Sequence, residues 1–297
     1  MLDFAKLLKP EHLRTDEPMS RHTTFRVGGP ADYMYFPDSE EDLLNAINCA
    51  RRAEMNCIII GNGSNLVVRD GGIRGMVIVL GDAFADVRAE DTRIIAQAGV
   101  SMAKTACFAQ ERGLSGLEFA SGIPGTLGGG CAMNAGAYGG QISDVLISAR
   151  VLLDGEIRTL SRDEMQMGYR TTLPLTRGGI VLSAIFELRR DDPAAILARM
   201  KDLNARRREK QPLNLPSAGS MFKRPEGHFA GALIQECGLK GARVGGAQVS
   251  EKHAGFVVNA GGATAADILN LVALVQRIVL ERTGIALEME PRVLGDE

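Results

Sequence analysis

The sequence predicts an α+β protein of two or three subdomains, and three observations carry that expectation. With 297 residues, 45% of them hydrophobic, the chain can bury more than a single core usually organises. Segments with strand character interleave with segments whose apolar residues recur at the 3.6-residue helical period. Two glycine-rich stretches punctuate the first half of the chain, one at Gly61–Leu66 and one with eight glycines between Gly122 and Gly140.

Taken in order, a polar lead-in reaches Ser20, after which Thr23–Ala31 and Tyr33–Phe36 read as a strand, a glycine turn and a second strand. Ser39 with Asp42 three residues on makes a capping-box-like helix start, and Leu43, Leu44, Ile47 and Ala50 keep the period. Cys57–Ile60 and Met76–Leu80 are apolar strands, which completes a βαβ-like first subdomain over 1–82. Gly61-Asn62-Gly63 does not open a Rossmann fingerprint, because the third glycine is missing and Leu66-Val67-Val68 continues as strand.

Val87–Gln97 suggests a hairpin, and Ser101 caps a helix carrying Met102, Ala106, Phe108 and Ala109 that stops at Gly113. Asp154-Gly155 between two apolar runs is a second hairpin, since Asp-Gly favours turns that match strand twist. Ser161 and Glu164 form another capping box before the turn at Gly168–Thr172, and strand Ile180–Leu188 closes a second subdomain over 83–190.

Asp192-Pro193 starts a helix with Ile196, Leu197, Met200 and Leu203 facing inward, the entry to a third subdomain over 191–297. A Pro/Asn/Ser loop at Gln211–Gly219, a helix around Ala230–Cys237 and a strand His253–Asn259 follow. A long helix runs from the Thr264/Asp267 capping box to Gly284, and a strand Ile285–Leu294 places Glu288 and Glu290 on one face.

Composition excludes several function classes. A net charge of −2, from 34 basic and 36 acidic residues, gives no overall pull toward nucleic acid or an anionic membrane. The one dense basic cluster, Arg206-Arg207-Arg208 with Lys210, ends a helix, where cations complement the macrodipole, and reads as a solvated helix end. Five cysteines form no CxxC pair and four histidines are scattered, so neither a disulfide framework nor a metal site is expected. Met1–Ser20 has no apolar signal region and no segment has the ~20 apolar residues needed to span a bilayer, so a cytoplasmic soluble protein is expected.

The chemistry points first to a cofactor. Glycine backbone has no Cβ to hold a polyanion at a distance and reaches conformations that turn several N–H groups the same way. Two such stretches suggest a dinucleotide held between two segments. Three further residues stand out, each with an ordinary alternative: Arg170 as a surface cation, Ser220 as a turn hydroxyl, and Glu290 as an outward strand residue.

Together, however, the motifs Arg21–Gly29, Gly61–Leu66, Gly122–Gly129, Met133–Gly139, Tyr169-Arg170, Ala218–Lys223 and Glu290–Gly295 resemble, in order and over nearly the whole chain, the UDP-N-acetylenolpyruvoylglucosamine reductase family in its shorter form. That resemblance implies a two-subdomain FAD-binding fold of the vanillyl-alcohol oxidase/PCMH type, followed by a C-terminal α+β substrate-binding domain whose last strand returns to the active site. It implies non-covalent FAD, NADPH as co-substrate and UDP-N-acetylglucosamine enolpyruvate as substrate. The implied catalytic residues are Arg170, Glu290 and the proton donor Ser220, with Lys223 a candidate to stabilise the serine alkoxide. Implied cofactor residues are Gly61, Asn62, Gly63, Ser64, Asn65, Leu66, Gly122, Pro124, Gly125, Thr126, Gly129, Gly130, Asn134, Ala135 and Gly136. Implied substrate contacts are Tyr169, Lys223, Lys240 and His253. Cys131 reads as packing, and no inserted tyrosine-bearing substrate loop is expected. The competing readings are an oxidase on the same fold and a non-catalytic flavin- or nucleotide-sugar-binding protein.

Overall fold

The computed structural model describes residues 4–297; the first three residues of the polar lead-in lie outside the described residues. The first sheet has the order β1 (Leu13–Pro18), β2 (Pro30–Tyr35), β5 (Ile73–Val79), β3 (Cys57–Ile60). β2, β5 and β3 run parallel and β1 antiparallel, with helix α1 (Glu40–Arg52) connecting β2 to β3. Ser39 Oγ caps α1 by accepting from Asp42 N, but the Asp42 carboxylate does not return the bond to Ser39 N. It accepts instead from Asp38 N and from the buried Tyr35 hydroxyl. β4 (Leu66–Val68) follows the first glycine loop.

The expected strand over Thr23–Ala31 does not form before Pro30. Arg26 at φ 57° and Gly28 at φ 120° break the extension, and Thr23 Oγ1 donates to Val27 O to close a turn. That turn aims Phe25 and Val27 into the core of the C-terminal unit.

The second sheet is antiparallel throughout, with the order β9 (Glu156–Ser161), β8 (Leu146–Leu153), β10 (Ile180–Glu187), β7 (Arg93–Gln97), β6 (Val87–Glu90). Asp154 and Gly155, at φ 53° and 83°, make the turn between β8 and β9. α2 (Met102–Glu111) is capped by Ser101, and the short helix α3 (Leu127–Ala132) packs against β10 and β7 of this sheet. The Ser161–Glu164 box forms its bonds over a turn only, and a one-turn helix, Leu173–Arg177, appears where none was expected.

α4 (Pro193–Lys210) starts at Asp192 as expected, yet its packing corrects the expected division at 190. Ile196 and Met200 are buried in the core of the second sheet, so this helix belongs by its contacts with 83–190; Leu197 faces solvent. The remaining unit combines α5 (Ala230–Glu236), a sheet of β11 (Arg243–Val244), β12 (Ala247–Val249) and β13 (Val257–Asn259), and α6 (Ala265–Thr283). β13 is shorter than the expected His253–Asn259, because His253–Phe256 closes a turn through Phe256 N to His253 O.

α6 carries the full Thr264/Asp267 capping box and stops at Gly284, φ 72°. Its buried face of Ile268, Leu271, Val272, Val275 and Val279 fills the third core. The Asp70 carboxylate, from the first unit, accepts from Ala265 N and Ala266 N, both at 2.9 Å, and ties the units together. Of the expected last strand only β14 (Arg292–Leu294) is regular, pairing parallel to β4 with Arg292 opposite Leu66. Glu288 and Glu290 are accordingly unlike: the first is exposed and ion-paired to Lys223, the second largely buried.

Candidate functional site

The two glycine stretches meet directly. A Cβ on Gly61 would lie 2.1 Å from Thr126 Oγ1, and one on Gly125 would lie 2.7 Å from Ser64 Oγ. Such approaches need glycine. Gly63, at φ 58°, passes so close to His22 that a Cβ would sit 2.1 Å from its carbonyl oxygen. Among the described residues, no protein acceptor meets the backbone N–H groups of Asn62, Gly63, Ser64 or Asn65, although Gly63 is buried. Buried donors normally have partners, so a loop of unpaired N–H groups fits an anionic ligand such as a pyrophosphate.

Both stretches line one cavity of about 550 Å³. Gly61 through Leu66, Pro124, Gly125, Thr126, Gly129, Gly130, Ala135 and Gly136 all face it, as do Arg170, Ser220, His253 and Glu290. A Cβ on Gly129 would find only Thr126 Oγ1, at 3.7 Å, so this glycine leaves open a space that a side chain would fill. Apolar walls come from Leu80, Ala98, Met102, Ile180 and Val181. The residues present therefore fit a large, partly apolar dinucleotide. Cys131 behind the cradle is fully buried, and burial pushes its thiol up to about 12, as befits a packing residue.

Gly122 and Asn134 are not on the cavity wall. Gly122 packs against α4, where a Cβ would meet Asn204 Oδ1 at 2.4 Å, and both ends of the Asn134 amide are used inside the protein. Conversely, Arg207, Lys210 and Gln211 at the end of α4 do line the cavity; Arg206, Arg208 and Lys210 are exposed as a solvated helix end would be, and Arg207 is the member of that cluster that departs from the reading. Arg207 is half-buried, donates to Gln211 Oε1 at 2.9 Å, and is lowered by burial from the ordinary guanidinium value. Tyr138, at φ 53° on the rim, also lines the cavity; it stands two residues after Gly136, within the Met133–Gly139 motif, but carries no cofactor signal of its own.

At one side of the cavity Arg170 Nε donates to Glu290 Oε1 at 2.7 Å, with Arg170 Nη2 reaching Gly136 O at 3.4 Å. The pair is mostly buried, with side-chain exposures of 20% and 12%. An ion pair this far from water holds its geometry, and the guanidinium edge not used by Glu290 remains for another anion. Glu290 is set by its backbone: its N donates to Met221 O at 3.0 Å, and Arg292 N donates to Asn65 O at 2.9 Å. Ser220 precedes Met221 on the same backbone contact, follows Gly219 at φ 80°, and offers an exposed hydroxyl.

His253 Nδ1 accepts from Gly255 N at 3.1 Å, and burial, with the nearby Lys240 charge, holds the imidazole below its ordinary range. Lys240 itself is exposed and off the cavity wall. Tyr169, within the Arg170 turn, and Lys223 lie around a second cavity of about 360 Å³ with Arg224 and Glu288. Lys223 is ion-paired to Glu288 there and lines this second cavity, whereas Ser220 lines the first.

Residues 211–294 match the family model described as UDP-N-acetylenolpyruvoylglucosamine reductase, C-terminal domain, and residues 31–161 match that of an FAD binding domain. Curated relatives named UDP-N-acetylenolpyruvoylglucosamine reductase from Alkaliphilus oremlandii and Clostridioides difficile are 49% and 48% identical. The alignments cover 99% and 100% of this chain and 97% and 98% of theirs. The crystal structure of UDP-N-acetylenolpyruvylglucosamine reductase from Thermus caldophilus superposes with a TM-score of 0.81 at 37% identity, covering 95% of this chain and 100% of that one.

Proposed function

Because the chain belongs to the UDP-N-acetylenolpyruvoylglucosamine reductase family, FAD-dependent oxidoreductases of peptidoglycan synthesis, we propose that it reduces UDP-N-acetylglucosamine enolpyruvate to UDP-N-acetylmuramate with electrons from NADPH. The observation that supports this above all is that Arg170, Ser220 and Glu290, from three separate segments, reach one cavity that both glycine stretches line. When bound there, FAD would supply the two-electron hydride chemistry that links NADPH to the enolpyruvyl β-carbon.

The chain's residues do the rest. The unpaired N–H groups of Asn62–Asn65 and the open face at Gly129 would hold the pyrophosphate, and the apolar wall would take the ring system. An enol ether accepts hydride only if its carboxylate draws off electron density, so the free edge of Arg170 binds that carboxylate and stabilises the charge that develops on it. Glu290 holds the guanidinium in line through the 2.7 Å bond. Ser220 then gives its proton to the α-carbon and is reprotonated from solvent, which balances the hydride added at the β-carbon.

Tyr169 and Lys223, around the second cavity, and His253, on the wall of the first, are the contacts proposed for the nucleotide end of the substrate, with Lys240 adding charge from outside. A nucleotide-sugar precursor is made in the cytoplasm, and that is the proposed location. Among the described residues no helix is long and apolar enough to cross a membrane.

The test is an anaerobic stopped-flow record of flavin absorbance, NADPH first and the enolpyruvyl substrate second. Bleaching by NADPH and recovery on adding that substrate is expected. A flavin that is bleached but reoxidised only by oxygen would replace this reading with the oxidase one.

A further inference from the structure

Asn134 lies between the cofactor cradle and the Arg170 turn without touching the cavity. It is 3% exposed and adopts φ 43°, left-handed backbone that Asn tolerates better than most residues. Its Oδ1 accepts from Ser143 N at 3.0 Å, and its Nδ2 donates to Gly168 O at 3.0 Å. Gly168 opens the tight turn that closes on Thr171, and Arg170 within it sits at φ 57°. The far end of the same turn is held by Thr172, 1% exposed, whose hydroxyl donates to Ala132 O at 2.7 Å. Both braces thus start from residues 132–134, at the end of the glycine-rich helix, and grip the turn on either side of Arg170.

A left-handed arginine persists only where its surroundings over-determine it. We propose that Asn134, with Thr172 as its counterpart, is a positioning residue for the reduction of substrate: it fixes the Arg170 guanidinium against Glu290 and has no direct part in holding the cofactor. The inference rests on the proposed role of Arg170 in the substrate half-reaction. It assigns Asn134 to the substrate half of the chemistry, although its sequence neighbours line the cofactor cavity.

The two half-reactions separate the possibilities. Asn134→Gly removes the amide while relieving any strain at φ 43°, and it is expected to bind FAD and be reduced by NADPH as the unsubstituted enzyme is. Flavin reoxidation by the enolpyruvyl substrate should slow about ten- to a hundredfold, the range expected when a reacting group is misplaced by about an ångström. In an Arg170→Ala background, the same substitution should change reoxidation by less than about twofold, because the residue it positions is gone. Thr172→Val should reproduce the selective slowing and Thr172→Ser should not, which keeps the question answerable if Asn134→Gly fails to fold.

Loss of flavin, an equal slowing of both half-reactions, or an undiminished effect in the Arg170→Ala background would overturn the proposal. So would unaltered reoxidation. Failure of the reductase reading looks different, since the unsubstituted enzyme would then not be reoxidised by the enolpyruvyl substrate at all.

Discussion

Ser220 owes its exposure to the residue before it. Gly219, at φ 80° with no atom near the position of a Cβ, lets the chain turn so that the next hydroxyl points out while Met221 is drawn in to bond Gly255 and Glu290. Replacing Ser220 by Ala should leave flavin reduction by NADPH unchanged and slow substrate-driven reoxidation by about 10²-fold or more, read in single-turnover stopped flow. Arg170→Lys keeps the charge but loses the planar fork that Glu290 aligns, and a loss of about 10²-fold in the same step is expected. The motifs contain Ser220, Arg170 and Glu290, but the meeting of the last two is not legible in them: Arg170 and Glu290 are 120 positions apart and their 2.7 Å contact is tertiary.

At the scale of elements, the glycine loops act through what they lack. Gly129→Val would put a branched side chain into open space beside Thr126 without touching the core, so the expected product is a folded, colourless protein, checked by circular dichroism and bound-flavin absorbance. α6 is the reverse case, an element specified by its ends. Thr264→Ala removes the acceptor of Asp267 N and half of a reciprocal box, and should cost about 1 kcal/mol in a urea unfolding experiment. Capping signals were readable for α1, α2, α4 and α6 because each depends on residues within four positions of one another. The expected strands over Thr23–Ala31 and Ile285–Leu294 are shorter than their sequences suggest: a local turn with left-handed Arg26 interrupts the first, and in the second only the segment that pairs with distant β4 is regular.

Across the whole molecule, the first unit supplies ties that hold the others in register. Asp70 caps α6, Phe25 and Val27 enter the third core, and β14 closes on β4. Glu17, 8% exposed on β1, accepts from His22 at 2.9 Å, and that bond, with Arg14 and Arg21 nearby, holds its carboxyl below the ordinary 4.5. A lowered folded-state value means the stabilisation is complete above pH 4.5 and is lost as pH falls through the folded value, because the unfolded chain then binds the proton more readily. His22→Ala removes the largest cause of that shift, so acid unfolding should begin at a higher pH, measured by tryptophan-independent far-UV circular dichroism since the chain has no Trp.

The sequence by itself determined what short-range chemistry determines. It specified the alternation of helix and strand, the capped helix starts, the Asp-Gly hairpin and two glycine stretches suited to an anion. The order of its motifs also identified the family. The tertiary structure alone decided which core takes α4, that Asn134 and Gly122 turn away from the cavity while Arg207 and Lys210 line it, and that Lys223 pairs with Glu288 around a second cavity. The reason is the range of the forces. Caps and turns are settled between neighbours in sequence, whereas burial, close backbone approach and ion pairing depend on segments far apart along the chain that meet only when the cores have formed.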